Sequence, residues 1–209
     1  MTFTKENISI FFFFIFHCIG AIGLSTTYKD VFLMLTPLHL LLSFVVLVWA
    51  NRDYSHTFFK VLLVIYSFGY LIEVAGVQTG LLFGEYYYGP VLGFKCFDTP
   101  IMIGVNWVIL CLSSYGVISF FKVKPLAKII LASVLMVGLD FIIEPVAIQL
   151  NFWWWADSLI PTQNYVMWFL VAFLMNGFVH INKLKVNFKV AFGLFISQIL
   201  FFTILSLVI

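Results

Sequence analysis

Long apolar runs, separated by short polar connections, make up most of the chain. A run of about 20 apolar residues crosses the roughly 30 Å hydrocarbon core of a bilayer, at about 1.5 Å rise per residue. The runs are continuous and do not alternate in polarity, which argues against the strands of a membrane β-barrel. The pattern therefore predicts an all-α, polytopic membrane helix bundle with seven transmembrane helices: Ile8–Leu24, Val31–Ala50, Val61–Leu82, Ile101–Phe121, Leu126–Leu150, Thr162–Ile181 and Val190–Ile209.

The composition agrees with this pattern, because 63% of the residues are hydrophobic and only 10% are charged. A soluble domain is nearer half apolar and one quarter charged. The spans and their short connections use nearly the whole chain, so we predict a single integral membrane domain over residues 1–209. Its surroundings are the lipid membrane, and without a basic soluble surface we expect no nucleic acid partner. The three cysteines are dispersed and form no Cys/His cluster, which argues against a zinc site or a disulfide framework.

The basic residues predict the orientation. Seven crossings place only Lys29 and Lys95 on one side of the membrane and nine basic residues on the other: Lys5, Arg52, Lys60, Lys122, Lys124, Lys128, Lys183, Lys185 and Lys189. Cytoplasmic loops carry the excess of Lys and Arg, so we predict a cytoplasmic N-terminus. We expect a location in a bacterial cell inner membrane. A signal peptide is the alternative for the first span, but the run is long for one and His17 interrupts it.

Three carboxylates, Glu73, Asp140 and Glu144, lie inside predicted spans. An ionisable group at membrane depth is costly unless it is paired, protonated or hydrated. Asp140 and Glu144 are four residues apart and share one face of their helix. Pro145 has no backbone N–H, so the carbonyl of Phe141 loses its helical partner, and we expect a loosened turn beside the two acids.

These acids are predicted to lie in the outer half of the bilayer. Counting inward from the outer end of each span gives depths of about 9 Å for Glu144, 15 Å for Asp140 and 14 Å for Glu73. The same count gives depths of about 8–12 Å for three side chains on other spans, namely Asn106, His39 and Trp168. Buried polar groups often only hold a bundle together. Three acids without Lys or Arg at their depth instead favour a protonated carboxylic acid, which can donate a proton.

Aromatic residues are concentrated in the two predicted outer loops, at positions 80–90 and 151–157. An interfacial belt of Tyr and Trp is one explanation, but a belt would occur at both faces. The inner face has only Trp49 and Tyr54. The spacing of Gly76, Gly80 and Gly84 suggests close helix packing, followed by a loop that lies tightly on the bundle.

An acid in a dry, aromatic pocket suits isoprenoid chemistry. Protonation of an isoprenoid double bond creates a tertiary carbocation, which aromatic faces stabilise through their quadrupole. Capture of the cation by water gives an alcohol, and capture by an internal alkene gives a ring. Both reactions need a general acid and controlled access of water. Neither needs a metal or a nucleotide, so we expect no cofactor.

An ordered series of motifs extends from Glu73 to Trp168. It begins with Glu73-Val-Ala-Gly-Val-Gln-Thr-Gly80 and Phe83-Gly84-Glu-Tyr86-Tyr-Tyr88. Later members of the series are Thr99-Pro100, Trp107, Asp140 with Glu144-Pro145, Trp153 with Trp155, Pro161, Asn164 and Trp168. This series resembles the carotenoid biosynthesis membrane family that includes the carotenoid 1,2-hydratases (CruF-like, including bisanhydrobacterioruberin hydratase). The resemblance covers nearly half of the chain.

The resemblance implies a hydro-lyase that hydrates the terminal double bond of an acyclic carotenoid held within the bilayer. From depth and chemistry we assign Asp140 or Glu144 as the proton donor, with the other as its partner. Glu73 is assigned to position or activate water. The candidate substrate-binding residues are Tyr86, Tyr88, Asn106, Trp107, Trp153, Trp155, Asn164, Trp168 and His39.

Other functions share some of these features. A membrane carotenoid cyclase would use the same acid and aromatics, and a non-catalytic carotenoid-binding protein would need only the pocket. A transporter usually has polar groups through both leaflets. A retinal-type receptor needs a lysine deep in its last span, whereas Lys189 lies at the inner boundary of that span. The sequence indicates no particular oligomeric state.

Overall fold

The computed structural model describes residues 4–51 and 53–209, so Arg52 of the predicted charge pattern lies outside the described residues. Within these ranges the fold has eight helices, namely α1 (Lys5–Leu24), α2 (Lys29–Met34), α3 (Thr36–Asn51), α4 (His56–Thr79), α5 (Met102–Ser119), α6 (Pro125–Gln149), α7 (Thr162–Ile181) and α8 (Phe188–Val208). The same ranges hold four short strands, namely β1 (Tyr86–Tyr88), β2 (Lys95–Cys96), β3 (Thr99–Pro100) and β4 (Trp153–Trp155).

Six helices of the described chain, α1 and α4 to α8, are long and apolar enough to cross a membrane. They coincide with six of the predicted spans to within a few residues. The prediction of a mostly helical integral membrane protein is confirmed. The all-α description is incomplete, because β1 to β4 form where the outer loops were predicted.

The predicted span Val31–Ala50 is broken. Its residues fall in α2 and α3, which are separated at Leu35. Pro37 explains the break, because it has no N–H to donate to the carbonyl of Leu33. The 16 residues of α3 give a length of about 24 Å, short of the roughly 30 Å core. Seven spans and a cytoplasmic N-terminus therefore stay predictions.

Helix α5 lies at the centre of the bundle. Nearly all of its side chains from Ile103 to Ile118 are buried, including the fully buried Trp107. It contacts α3, α4, α6, α7 and α8, and α1 lies against α8 at the periphery. The other long helices each bury one face and leave an apolar face exposed, as expected for helices surrounded by lipid. The central helix thus links the helices that carry the acids.

The loop after α4 folds back onto that helix. Gly80 ends α4 in a left-handed conformation (φ 66°), and its N–H donates to the carbonyl of Gly76 at 2.8 Å. A Cβ on Gly76 would lie only 2.6 Å from the Phe83 ring and 3.0 Å from the Tyr86 hydroxyl. The missing side chain provides the space for the loop, so the predicted tight fit of the loop is confirmed. Gly76 makes this contact with the loop and not with another helix. The predicted end of this span at Leu82 is too late, because the helix ends before Gly80.

The two loops that were predicted to be outer pair to form an aromatic cap. Strands β1 and β4 are antiparallel, with Tyr86 opposite Trp155 and Tyr88 opposite Trp153. Successive strand residues point to opposite faces. The first and last residues of each strand are buried and the middle one is exposed. The cap therefore directs four aromatic side chains into the bundle, which an interfacial belt alone does not explain.

A change at Gly89, directly after β1, should disrupt this cap. A Cβ there would lie 1.8 Å from the backbone oxygen of Asn151, and the Gly89 N–H donates to the carbonyl of Phe152 at 2.8 Å. Backbone cannot move aside as a flexible side chain can, so we expect Gly89→Ala to cost about 1–3 kcal/mol. Thermal unfolding in detergent, monitored by fluorescence-detected size-exclusion chromatography, measures the effect. Gly138→Ala is the control, because nothing lies within 4 Å of its Cβ position. Equal melting temperatures would contradict the prediction.

Candidate active site

The three predicted acids lie together beneath the aromatic cap. Glu73 on α4 and Asp140 and Glu144 on α6 are each at most 2% exposed. They line one cavity of about 20 Å³, which has room for about one water molecule. Ten of the twelve predicted site residues line this cavity, namely Glu73, Tyr86, Tyr88, Asn106, Asp140, Glu144, Trp153, Trp155, Asn164 and Trp168. Their roles in catalysis and binding stay predictions.

Glu73 accepts hydrogen bonds from three aromatic side chains. Its Oε2 accepts from the Tyr86 hydroxyl at 2.5 Å and the Tyr88 hydroxyl at 2.8 Å, and its Oε1 accepts from Trp107 Nε1 at 3.0 Å. Burial raises the pKa of both tyrosine hydroxyls well above the usual range, so these groups keep their protons and donate. Trp107, which does not line the cavity, supports Glu73 from behind and stacks on Trp168 at a ring distance of 4.1 Å. The acid thereby ties α4, α5 and the cap together.

Glu144 has an equally full set of donors. Its Oε2 accepts from Trp153 Nε1 at 3.0 Å and Trp155 Nε1 at 3.1 Å. Its Oε1 accepts from Asn164 Nδ2 at 3.2 Å. An indole N–H can only donate, so both tryptophans require an acceptor at this position. Glu144 thus anchors the second strand of the cap to α6 in the way that Glu73 anchors the first strand to α4.

Asp140 accepts fewer hydrogen bonds than the other two acids. Within the described chain its side chain accepts one hydrogen bond, a long one of 3.5 Å from Asn164 Nδ2, which also donates to Glu144. Its side chain is only 1% exposed. Hydrogen-bond donors stabilise a charged carboxylate, and Asp140 has the fewest of the three acids. A proton held by this cluster is therefore most stable on Asp140.

The charge balance of the cavity supports a shared proton. The described residues that line it include three carboxylates and no Lys or Arg. Three negative charges in one small, buried cavity would repel one another strongly, which favours sharing of protons among the acids. The described residues contain no group of three His, Cys, Asp or Glu side chains placed to hold a metal ion. That the protein uses no cofactor stays a prediction.

A second, apolar cavity of about 210 Å³ adjoins the acid cavity. Four residues line both spaces, namely Ile103, Asn106, Ile143 and Trp153. Two other wall residues, Ile19 and Leu38, are about half exposed on the lipid-facing surface. The apolar cavity therefore opens sideways between α1 and α3, and it shares part of its wall with the acid cavity.

His39 belongs to the apolar cavity and does not line the acid cavity. Its ring lies perpendicular to that of His17 on α1, with 4.6 Å between the ring centroids. Counting along a span estimates depth but does not fix the direction in which a side chain points, so depth alone does not separate His39 from the acids. Sequence reasoning missed His17 as a site residue, although a histidine that interrupts an apolar run was a usable signal.

Comparison with known proteins gives a family. Residues 34–209 match the family described as carotenoid biosynthesis protein. Bisanhydrobacterioruberin hydratase from Haloarcula japonica is 33% identical over 131 residues, which cover 56% of this chain and 43% of that relative. The chain thus matches less than half the length of this curated relative, and no solved structure matches it. Because the family match extends over most of the sequence, the chain belongs to the carotenoid biosynthesis protein family.

Proposed function

We propose that this protein hydrates the terminal double bond of an acyclic carotenoid end without a cofactor, as a hydro-lyase. The observation that carries the proposal is the sparsely hydrogen-bonded Asp140 in a water-sized cavity that adjoins a lipid-accessible apolar one. Membership of the carotenoid biosynthesis family supports a role in that pathway, and the name of the Haloarcula relative supports hydration.

The apolar cavity suits one end of a polyene. Its volume of about 210 Å³ is far smaller than a whole carotenoid, so the remainder of the polyene would lie in the surrounding lipid. The sideways opening beside Ile19 and Leu38 supplies a path from the bilayer without transfer through water. The end of the polyene would reach the acids at the wall formed by Asn106 and Trp153.

Asp140 then protonates the terminal double bond at its less substituted carbon, which leaves a tertiary carbocation. The faces of Trp168 and Tyr86, both on the cavity wall, stabilise the positive charge. A water oriented by Glu73 forms the new C–O bond and releases its proton to the carboxylate of Asp140. Glu144 is the partner of Asp140 through the shared amide of Asn164. One water is consumed and the acid is restored.

We also propose seven crossings with a cytoplasmic N-terminus. The ammonium of Lys5 lies 4.9 Å from the ring centroid of Trp49, and Asn187 Nδ2 donates to Glu6 at 3.1 Å. These contacts join the start of α1, the end of α3 and the start of α8. Gln149 at the end of α6 donates to the last carbonyl of the chain, so the end of α8 lies on the side of the cap. Termini at opposite ends support an odd number of crossings and acids in the outer half.

Expression in a bacterium that accumulates lycopene tests the reaction. We expect a new pigment heavier by the mass of one water for each modified end, detected by liquid chromatography with mass detection. A product of unchanged mass with a shifted absorption spectrum would instead indicate cyclisation. Pigment that copurifies unaltered would indicate a carotenoid-binding protein without catalysis.

A further inference from the structure

Two buried polar atoms outside the acid cluster have no hydrogen-bond partner within the described chain. They are the hydroxyl oxygen of Ser43 on α3 and the amide Oε1 of Gln198 on α8. Their side chains are only 3% and 5% exposed. Buried polar atoms nearly always have a hydrogen-bond partner, so two such atoms without one need an explanation. Both residues line the apolar cavity, on helices that belong to different parts of the chain.

His17, which lines the same cavity, adds a third polar group. His17 Nδ1 lies 2.7 Å from the carbonyl of Phe13. A carbonyl only accepts, so Nδ1 carries the hydrogen and Nε2 of the uncharged ring is an acceptor. Most other residues of this wall are apolar. The cavity thus combines a hydroxyl, an amide oxygen and an imidazole with a lining that suits hydrocarbon.

We propose that Ser43, Gln198 and His17 form a second polar subsite, which binds a hydroxyl group. A hydroxyl can accept from Ser43 and donate to Gln198 or His17, which satisfies the unpaired atoms. The hydroxyl belongs either to the tertiary alcohol on a carotenoid end or to a water molecule stored beside the acids. This inference rests on the proposed function, because it specifies which hydroxyl-bearing groups the substrate cavity admits.

The first test compares two carotenoids that differ by one hydroxyl, lycopene and 1-hydroxylycopene. Their affinities for the purified protein are measured by quenching of tryptophan fluorescence, in an Asp140→Asn background that removes turnover. We expect the hydroxylated carotenoid to bind about tenfold more tightly, the factor that corresponds to about 1.4 kcal/mol. Ser43→Ala and Gln198→Met should reduce this preference to within about twofold.

Ser197→Ala is the matched control. Ser197 is also buried on α8, but its hydroxyl donates to the carbonyl of Gly193 at 2.7 Å and it does not line the apolar cavity. It should leave the preference for the hydroxylated carotenoid unchanged. Because the assay measures binding alone, its result is independent of whether the protein hydrates its substrate.

Thermal unfolding of the same variants distinguishes the remaining outcomes. If both carotenoids bind alike, and Ser43→Ala and Gln198→Met melt below Ser197→Ala, the subsite holds water, since each change removes a partner of that water. If both carotenoids bind alike and these two variants melt at the same or a higher temperature than Ser197→Ala, the inference is overturned. Removal of an unpaired polar atom from an empty site does not destabilise a protein.

Discussion

Asp140→Asn should abolish formation of the hydrated carotenoid while the protein still folds and binds pigment. The amide has nearly the shape of the acid and keeps its neighbour Asn164 at 3.5 Å, but it has no carboxylic proton to give. Loss of a general acid reduces rates by about 10²–10⁴-fold. Product formed per amount of purified protein, in detergent with lycopene, measures the loss. Pigment that copurifies with the variant shows that binding is intact.

A carboxylate outside the cavity supplies the control. Glu85 precedes β1 and accepts from the exposed Tyr87 hydroxyl at 2.5 Å, so Glu85→Gln should retain activity. Glu144→Gln is expected to lower both activity and melting temperature, because its one amide oxygen cannot accept from the two indole groups on one side and from Asn164 on the other. If Asp140→Asn is active and only Glu144→Gln is not, the donor is Glu144. Full activity in the amide variants of Asp140, Glu144 and Glu73 alike would falsify acid catalysis by this cluster.

The sequence predicted the long helices well, because bilayer thickness imposes a length that continuous apolar runs display directly. Helix α7, at Thr162–Ile181, has the predicted bounds, and five others differ by a few residues. The interruption at Leu35 was also encoded locally, in Pro37. Because the apolar run is long enough to cross a bilayer, the prediction followed its hydrophobicity and neglected the effect of one proline on the backbone.

The aromatic cap could not be predicted in the same way. In Tyr86–Tyr88 and Trp153–Trp155 every residue is aromatic, so no alternation of polarity marks a strand. The exposed aromatics suit the membrane interface and the buried ones suit the bundle, and the sequence does not distinguish them. The two strands pair across two helices, α5 and α6, and their connecting loops, a long-range contact that no local pattern specifies.

The acid cluster could be predicted in part, less fully than the long helices and better than the cap. Depth counting placed Glu73, Asp140 and Glu144 at similar levels, and the four-residue spacing of the last two fixed their common face. Which groups would surround each acid depended on packing between helices. His39 has a comparable depth but lies in the neighbouring cavity with His17. The different surroundings of Asp140 and Glu144, which suggest the donor, follow from the cap and were not available from the sequence.

Glu73→Leu should destabilise the protein more than loss of any one of its hydrogen-bond partners. The leucine leaves Tyr86, Tyr88 and Trp107 without their acceptor in a buried site. At about 0.6 kcal/mol for a typical bond in a membrane protein, the three bonds together contribute about 2 kcal/mol. If instead each donor that is left without an acceptor costs about 1–3 kcal/mol, the loss is about 3–9 kcal/mol. Melting temperatures in detergent, compared with those of Tyr86→Phe and Tyr88→Phe, measure it.

The triple variant with Glu73→Leu, Tyr86→Phe and Tyr88→Phe separates these two estimates. Removing an acceptor together with its donors can be nearly neutral, whereas removing the acceptor alone leaves unpaired groups behind. If donors left without an acceptor cause most of the destabilisation, the triple variant melts well above Glu73→Leu. The remaining loss of melting temperature then belongs to Trp107, which keeps its indole N–H. If the triple variant melts no higher than Glu73→Leu, the hydroxyls had found other partners, and Glu73 is not the anchor of the cap. A cap anchored by Glu73 would also explain why an acid that donates no proton is needed beside Asp140.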